Sequence, residues 1–156
     1  MLAVVVPGQG SQQPAMFSSW IEISKNYQKL KEFSEISNLD LIYFGTKATK
    51  EEISNTEITQ PLLTALSLIS FANLNLDDKS SVIFAGHSVG EFSASAFSEF
   101  LIEEQAMRLV TLRGKLMNEA TKESEPTGMA AVLGGDKYVI IERLKEIQLY
   151  AANINS

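Results

Sequence analysis

The spacing of apolar positions changes several times along the chain, and each change marks an element. Residues 2–6, Leu-Ala-Val-Val-Val, are a short β-branched run closed by Pro7-Gly8, which predicts a buried strand ending in a tight loop. Pro14 is placed to open a short helix, the mixed pattern over 20–41 predicts a surface helix, and 48–54 suggests one further helical turn. From Gln60 the pattern sharpens. Leu62, Leu63, Ala65, Leu66, Leu68, Ile69, Phe71 and Ala72 cover nearly every side of a helix, as in one buried all round. Asp77-Asp78-Lys79 then reads as a turn and 82–85, Val-Ile-Phe-Ala, as a central parallel strand. Helices are predicted over 91–97 and 102–120, followed by a polar linker over 121–127 that contains Pro126. A strand over 129–133, a helix over 136–147 and the start of another strand over 150–154 complete the series. Alternating strands and helices of this kind predict an α/β protein with a parallel sheet.

Composition narrows the function classes. Hydrophobic residues make up 45% of the 156, enough for a packed core, and 21% are charged. A formal net charge of −6, with no basic run, argues against a nucleic-acid groove. No apolar stretch is long enough to span a bilayer, and the N-terminus has no cationic leader, so a soluble, cytoplasmic protein is expected. The chain contains no cysteine, which excludes disulfides and cysteine-ligated metal sites.

The chemistry concentrates at Gly86-His87-Ser88-Val89-Gly90, a G-x-S-x-G pattern with an apolar strand before it and a helix-forming segment after it. In such a nucleophile elbow the serine occupies a strained strand-to-helix turn, and the flanking glycines remove Cβ atoms that would clash. The competing reading is a glycine-rich βα turn with an ordinary serine. Glu91 falls in the first turn of the following helix, where the helix dipole alone accounts for a carboxylate.

Arg113 is a second clue. The apolar stripe of the 102–120 helix runs through Ile102, Ala106, Leu109, Val110, Leu116, Met117 and Ala120, and Arg113 lies on it, while Arg108, Thr111, Lys115, Asn118 and Lys122 form the solvent face. A guanidinium on a core-facing stripe needs an anionic partner. That partner is either a carboxylate of the protein or a substrate carboxylate held in a bidentate fork. Gly114, beside it, permits a close backbone approach.

The loop after the first strand, Pro7-Gly8-Gln9-Gly10-Ser11-Gln12, meets neither phosphate-binding pattern. Position 13 is Gln13 where a dinucleotide fingerprint needs its third glycine, and no Gly-Lys-Ser/Thr follows. It remains a tight loop at the C-terminal end of a strand, where sites in parallel sheets gather, and its N–H groups could form half of an oxyanion hole.

Taken together, VVVPGQGSQ at 4–12, ITQP at 58–61, AGHSVGEFSA at 85–94, RLVTLRGKLMNEA at 108–120 and GMAAVLG at 128–134 resemble the malonyl-CoA:acyl carrier protein transacylases of fatty-acid synthesis and the related acyltransferase domains of polyketide synthases. The resemblance implies an α/β-hydrolase-like parallel sheet carrying a nucleophile elbow (residues 1–126), plus the first part of an inserted ferredoxin-like small subdomain (127–156). It implies that Ser88 accepts malonyl from malonyl-CoA as an ester, and that acyl carrier protein then takes it on its phosphopantetheine thiol. The backbone amides of Gln9 and Val89 would form the oxyanion hole, Arg113 would pair with the malonyl carboxylate, and Gln60 would line the site. No metal or cofactor is implied.

One requirement is unmet. Serine acyl transfer needs a histidine to take and return the hydroxyl proton. The resemblance places it in the second half of such proteins, whereas the one histidine of this chain, His87, adjoins the nucleophile and is expected to pack or hydrogen-bond beside it, among the substrate-binding residues with Arg113 and Gln60. The chain is therefore expected to be an N-terminal half, inactive alone, with its other half as a partner. Two alternatives stay open: a serine esterase or thioesterase, which has no use for a carboxylate-binding arginine, and a fragment that only binds. Arg108, Lys115 and Lys122 could offer a carrier-protein docking patch, or simply a solvated helix face.

Overall fold

The computed structural model describes residues 1–74, 76, 81–123 and 130–154. Two parallel strands, β1 (Leu2–Val6) and β2 (Val82–Gly86), pair in register from Leu2 with Val82 to Val6 with Gly86. Between them run α1 (Ser24–Ser37), α2 (Leu41–Thr46), a single 3-10 turn at Glu52–Ser54 and α3 (Thr56–Ala72). After β2 come α4 (Gly90–Phe97), α5 (Glu103–Glu123) and α6 (Lys137–Glu146). The chain divides into two compact units, Met1–Glu125 and Pro126–Ser156.

α3 is the axis of the first unit. Thr59 to Ala65, Leu68 and Ile69 are buried, as expected for a helix apolar on all sides. It starts a turn earlier than Gln60, because the Asn55 side chain caps it by accepting from the Glu57 N–H at 3.0 Å. Pro61 therefore lies inside the helix rather than near its start. Phe71 of α3 stacks on Phe97 of α4 with ring centroids 4.0 Å apart, and Phe84 of β2 meets both edge-on. That cluster fixes strand, central helix and α4 to one another.

Several expectations need correction. The helix predicted over 20–41 is confined to α1, and a second helix, α2, begins where it was expected to end. Asn38 takes a left-handed conformation at φ 54°, returning its N–H to Glu35, and the Asp40 side chain caps α2 by accepting from the Tyr43 N–H at 2.9 Å. The stretch after Pro14 forms turns, not a helix. β1 and β2 are not buried on both sides. Ala3, Val5, Ile83 and Ala85 share an exposed face, with Val5 70% and Ile83 52% accessible. Residues 130–133 and 150–154 form no strand, since a strand requires a partner and none pairs with them among the described residues. Met129 and most of the 121–127 linker lie outside the described residues, as does the turn at 77–79.

The buried face of α5 is also narrower than its apolar stripe. Ala106, Met107, Val110 and Gly114 are buried, whereas Ile102, Leu109, Leu116 and Met117 are exposed. Gly114 lets the helix lie close against the start of α3, where a Cβ would come 3.0 Å from the Thr56 carbonyl oxygen. In the second unit, Asp136 caps α6 by accepting from the Tyr138 and Val139 N–H groups, and no α6 residue is buried.

Candidate active site

Where β2 ends, the ladder continues for one residue as the His87 N–H donates to the Val6 carbonyl at 3.0 Å. The next residue, Ser88, turns to φ 56°, a left-handed conformation that disfavours any side chain. α4 then begins, with the Gly90 N–H donating to the His87 carbonyl at 3.0 Å and the Glu91 N–H to Ser88 at 3.1 Å. The turn is too tight for side chains at its flanks. A Cβ on Gly86 would stand 2.2 Å from the Gly90 carbonyl carbon, and one on Gly90 would stand 2.5 Å from the Val6 carbonyl oxygen. Buried Val89 pins the turn, leaving Ser88 exposed at the N-terminus of α4.

Arg113 reaches this serine from α5. Its Nη2 donates to Ser88 Oγ at 3.3 Å and its Nη1 to Gln60 Oε1 at 2.5 Å. Gln60 is fully buried, and its Nε2 donates to Met117 Sδ at 3.2 Å. An arginine can only donate, so the amide oxygen must face it and the amide nitrogen must face the sulfur. Among the described residues Arg113 has no carboxylate partner. Of the two partners its position allowed, the protein carboxylate is therefore absent from these residues. A half-buried positive charge instead sits beside the serine with neutral neighbours, an arrangement suited to an anion that arrives from outside. Gly114 permits it: a Cβ there would come 3.0 Å from the Thr56 carbonyl oxygen, so a side chain would press α5 away from the start of α3.

The loop 7–12 completes the surroundings. Gln9 Nε2 donates to Thr56 Oγ1 at 3.1 Å, the Gly10 N–H to Gln12 Oε1 at 2.8 Å, and the Ser11 hydroxyl to the Gly8 carbonyl at 3.0 Å. Gly8 lies against the exposed His87, whose Nδ1 would be 2.8 Å from a Cβ at that position. The His87 ring makes no hydrogen bond to Ser88 or to any other described residue, nor do the backbone N–H groups of Gln9 and Val89. Thus Ser88, Arg113 and Gln60 are joined by hydrogen bonds, Val89 and His87 flank the serine, and Gln9 is tied to α3.

Sequence reasoning missed two residues of this network, Thr56 and Met117. Met117 sat on the apolar stripe with nothing to separate it from the core, and Thr56 carried no signal. The outer cations of α5 are engaged locally: Arg108 pairs with Glu104 at 2.8 Å and Lys115 with Glu119 at 3.9 Å. Among the described residues no helix is long and apolar enough to cross a membrane, and no group of three or more His, Cys, Asp or Glu side chains is arranged to hold a metal ion.

A family model described as the acyl transferase domain matches residues 4–156. The chain is 40% identical over 160 residues to the malonyl CoA-acyl carrier protein transacylase of Mycobacterium tuberculosis, covering all of this chain and 52% of that protein. It superposes on the crystal structure of MCAT from Mycobacterium tuberculosis with a TM-score of 0.88 at 37% identity, covering 99% of this chain and 52% of that one. A malonyl-transacylase in complex with a type II PKS acyl-carrier protein matches with a TM-score of 0.77 at 34% identity, covering 94% of this chain and 48% of that one. The chain thus spans about half the length of the relatives it matches. With its α/β fold, its parallel strands and a match over nearly its whole length, the chain belongs to the acyl transferase domain family.

Proposed function

We propose that Ser88 carries a malonyl group, taken from malonyl-CoA as an oxygen ester and passed to the phosphopantetheine thiol of acyl carrier protein. The observation that carries this reading is the Arg113 guanidinium 3.3 Å from Ser88 Oγ, held by Gln60 and lacking a carboxylate partner among the described residues. In a malonyl ester the free carboxylate is one methylene from the ester carbonyl, so it needs a cation within a few ångströms of the serine oxygen. A bidentate fork there selects a dicarboxylic acyl group over a plain one. A hydrolase of simple esters gains nothing from it.

In the forward step the Ser88 oxygen attacks the thioester carbonyl, its proton leaves to a base, and the coenzyme A thiolate departs. The turn from Gly86 to Gly90 acts as a nucleophile elbow. The N–H groups of Gln9 and Val89, which no described residue accepts, are free to hold the oxyanion. In the second step the carrier thiol attacks the ester and Ser88 regains its proton. These steps invoke no metal or cofactor. They do need a base that His87, turned toward Gly8, does not supply; we assign that role to a histidine in the other half of the protein, as the family resemblance implies. We read Met1–Glu125 as part of a hydrolase-like subdomain and Pro126–Ser156 as the start of a ferredoxin-like one, which the division into compact units supports. A cytoplasmic setting fits the substrates.

The test is intact-mass labelling of the chain, supplemented in trans with a C-terminal half from a relative. With malonyl-CoA an ester adduct is expected that Ser88→Ala abolishes. Arg113→Ala should lower malonyl labelling by about 100-fold, as for loss of one partner from a charge pair, while acetyl labelling falls little. Equal labelling by malonyl-CoA and acetyl-CoA in the unsubstituted protein would refute the role of Arg113.

A further inference from the structure

Thr56 stands where three parts of the site meet. It is the first residue of α3, one turn ahead of Gln60, and its hydroxyl accepts from Gln9 Nε2 at 3.1 Å. Its carbonyl is the nearest atom to the bare Cα side of Gly114, the neighbour of Arg113. The hydroxyl is not needed to start the helix, since Asn55 already caps α3 through the Glu57 N–H at 3.0 Å. The remaining side-chain contacts of the loop are internal, from Gly10 to Gln12 and from Ser11 to Gly8. The Gln9 side chain is thus the one side-chain hydrogen bond tying this loop to another element among the described residues.

We propose that Thr56 is a positioning residue for the acyl-transfer step. By holding the Gln9 side chain, it fixes the loop and with it the backbone N–H of Gln9, so that this donor meets the oxyanion that forms over Ser88. The inference rests on the acyl-transfer reading above and adds to it a residue that never touches substrate. An oxyanion donor acts through pre-set geometry, so slackening its support slows the chemical step without weakening ground-state binding. Gln9 keeps its N–H in any anchor variant, so the loss is smaller than the roughly 100- to 1,000-fold seen when such a donor is removed outright.

Thr56→Val keeps the branched shape and deletes the acceptor; Thr56→Ser restores it. In the two-half protein, Thr56→Val should lower kcat by about tenfold with KM for malonyl-CoA changed less than about twofold, and Thr56→Ser should stay within about twofold of the parent. Gln9→Leu removes the same contact from the other side and should match Thr56→Val, and the double variant should lose no more than either single one. Backbone amide order parameters of the 156-residue chain alone, from NMR relaxation, give a second readout that needs no activity: those of residues 8–12 should fall in Thr56→Val and not in Thr56→Ser. Unchanged order parameters in that loop, or a loss of kcat shared equally by the valine and serine variants, overturns the proposal. If the unsubstituted protein transfers no malonyl group while the order parameters respond as expected, the acyl-transfer reading fails and the anchor stands.

Discussion

At the scale of single residues, Ser88 trades stability for exposure. Its left-handed φ of 56° strains any side chain but costs glycine nothing. Ser88→Gly should therefore be more stable than Ser88→Ala by about 1 kcal/mol, read as a shift in urea midpoint at constant slope, although both lack the hydroxyl. Equal midpoints would mean that the turn is not strained. Ser88 was legible from the chain because a strand, two glycines and a helix surround it within a few positions. Arg113 was legible as an anomaly on an apolar stripe, but its partner was not, because Gln60 lies 53 positions away. Met117 and Thr56 take their meaning from neighbours 57 and 47 positions distant, and no local pattern announces contacts of that range.

Among elements, α1 and α5 are tied by Lys29, whose Nζ lies 2.8 Å from Glu103 and 3.3 Å from Glu32. The hydrogen bond to Glu103 outweighs burial and raises the ammonium above its ordinary 10.5. A raised folded value means the contribution is complete below the unfolded pKa and is lost as pH climbs through the folded one. The stability difference between the parent chain and Glu103→Gln should thus be flat from about pH 6 to 9 and shrink above about pH 10.5. Lys29 is more than a third exposed, so the whole effect is at most about 1 kcal/mol and weakens with salt. Urea melts of both chains at several pH values measure it; Tyr43, raised above 10.0 by its bond to Glu52, titrates nearby and cancels in the difference. A difference that grew with alkalinity would refute the assignment. Helices were read well where caps and periodicity agreed, as at Asp136 and α6. The 20–41 segment was misread because its break depends on one Asn in a left-handed conformation inside an otherwise continuous pattern. Residues 130–133 and 150–154 have the composition of strands, yet strand formation is a property of pairs.

For the molecule as a whole, the α/β class followed from the alternation of elements, but the burial of its sheet did not. Parallel sheets are ordinarily covered on both faces, whereas here Ala3, Val5, Ile83 and Ala85 present an apolar face to solvent. The 156-residue chain on its own should self-associate through this face, and the double change Val5→Lys, Ile83→Lys should reduce the associated fraction in sedimentation velocity. Association unaltered by the double change would place the sticky surface elsewhere. The pairing of Leu2 with Val82 also has a bearing on time. The strand that braces the serine turn is synthesised about eighty residues before its partner. Until the two meet, the Val6 carbonyl that receives the His87 N–H and packs on Gly90 is not in place. Closing so long a segment is a slow, non-local event in folding. A nascent or partly folded chain therefore lacks the strained turn at Ser88, and the formation of that turn becomes a late reporter of completed folding.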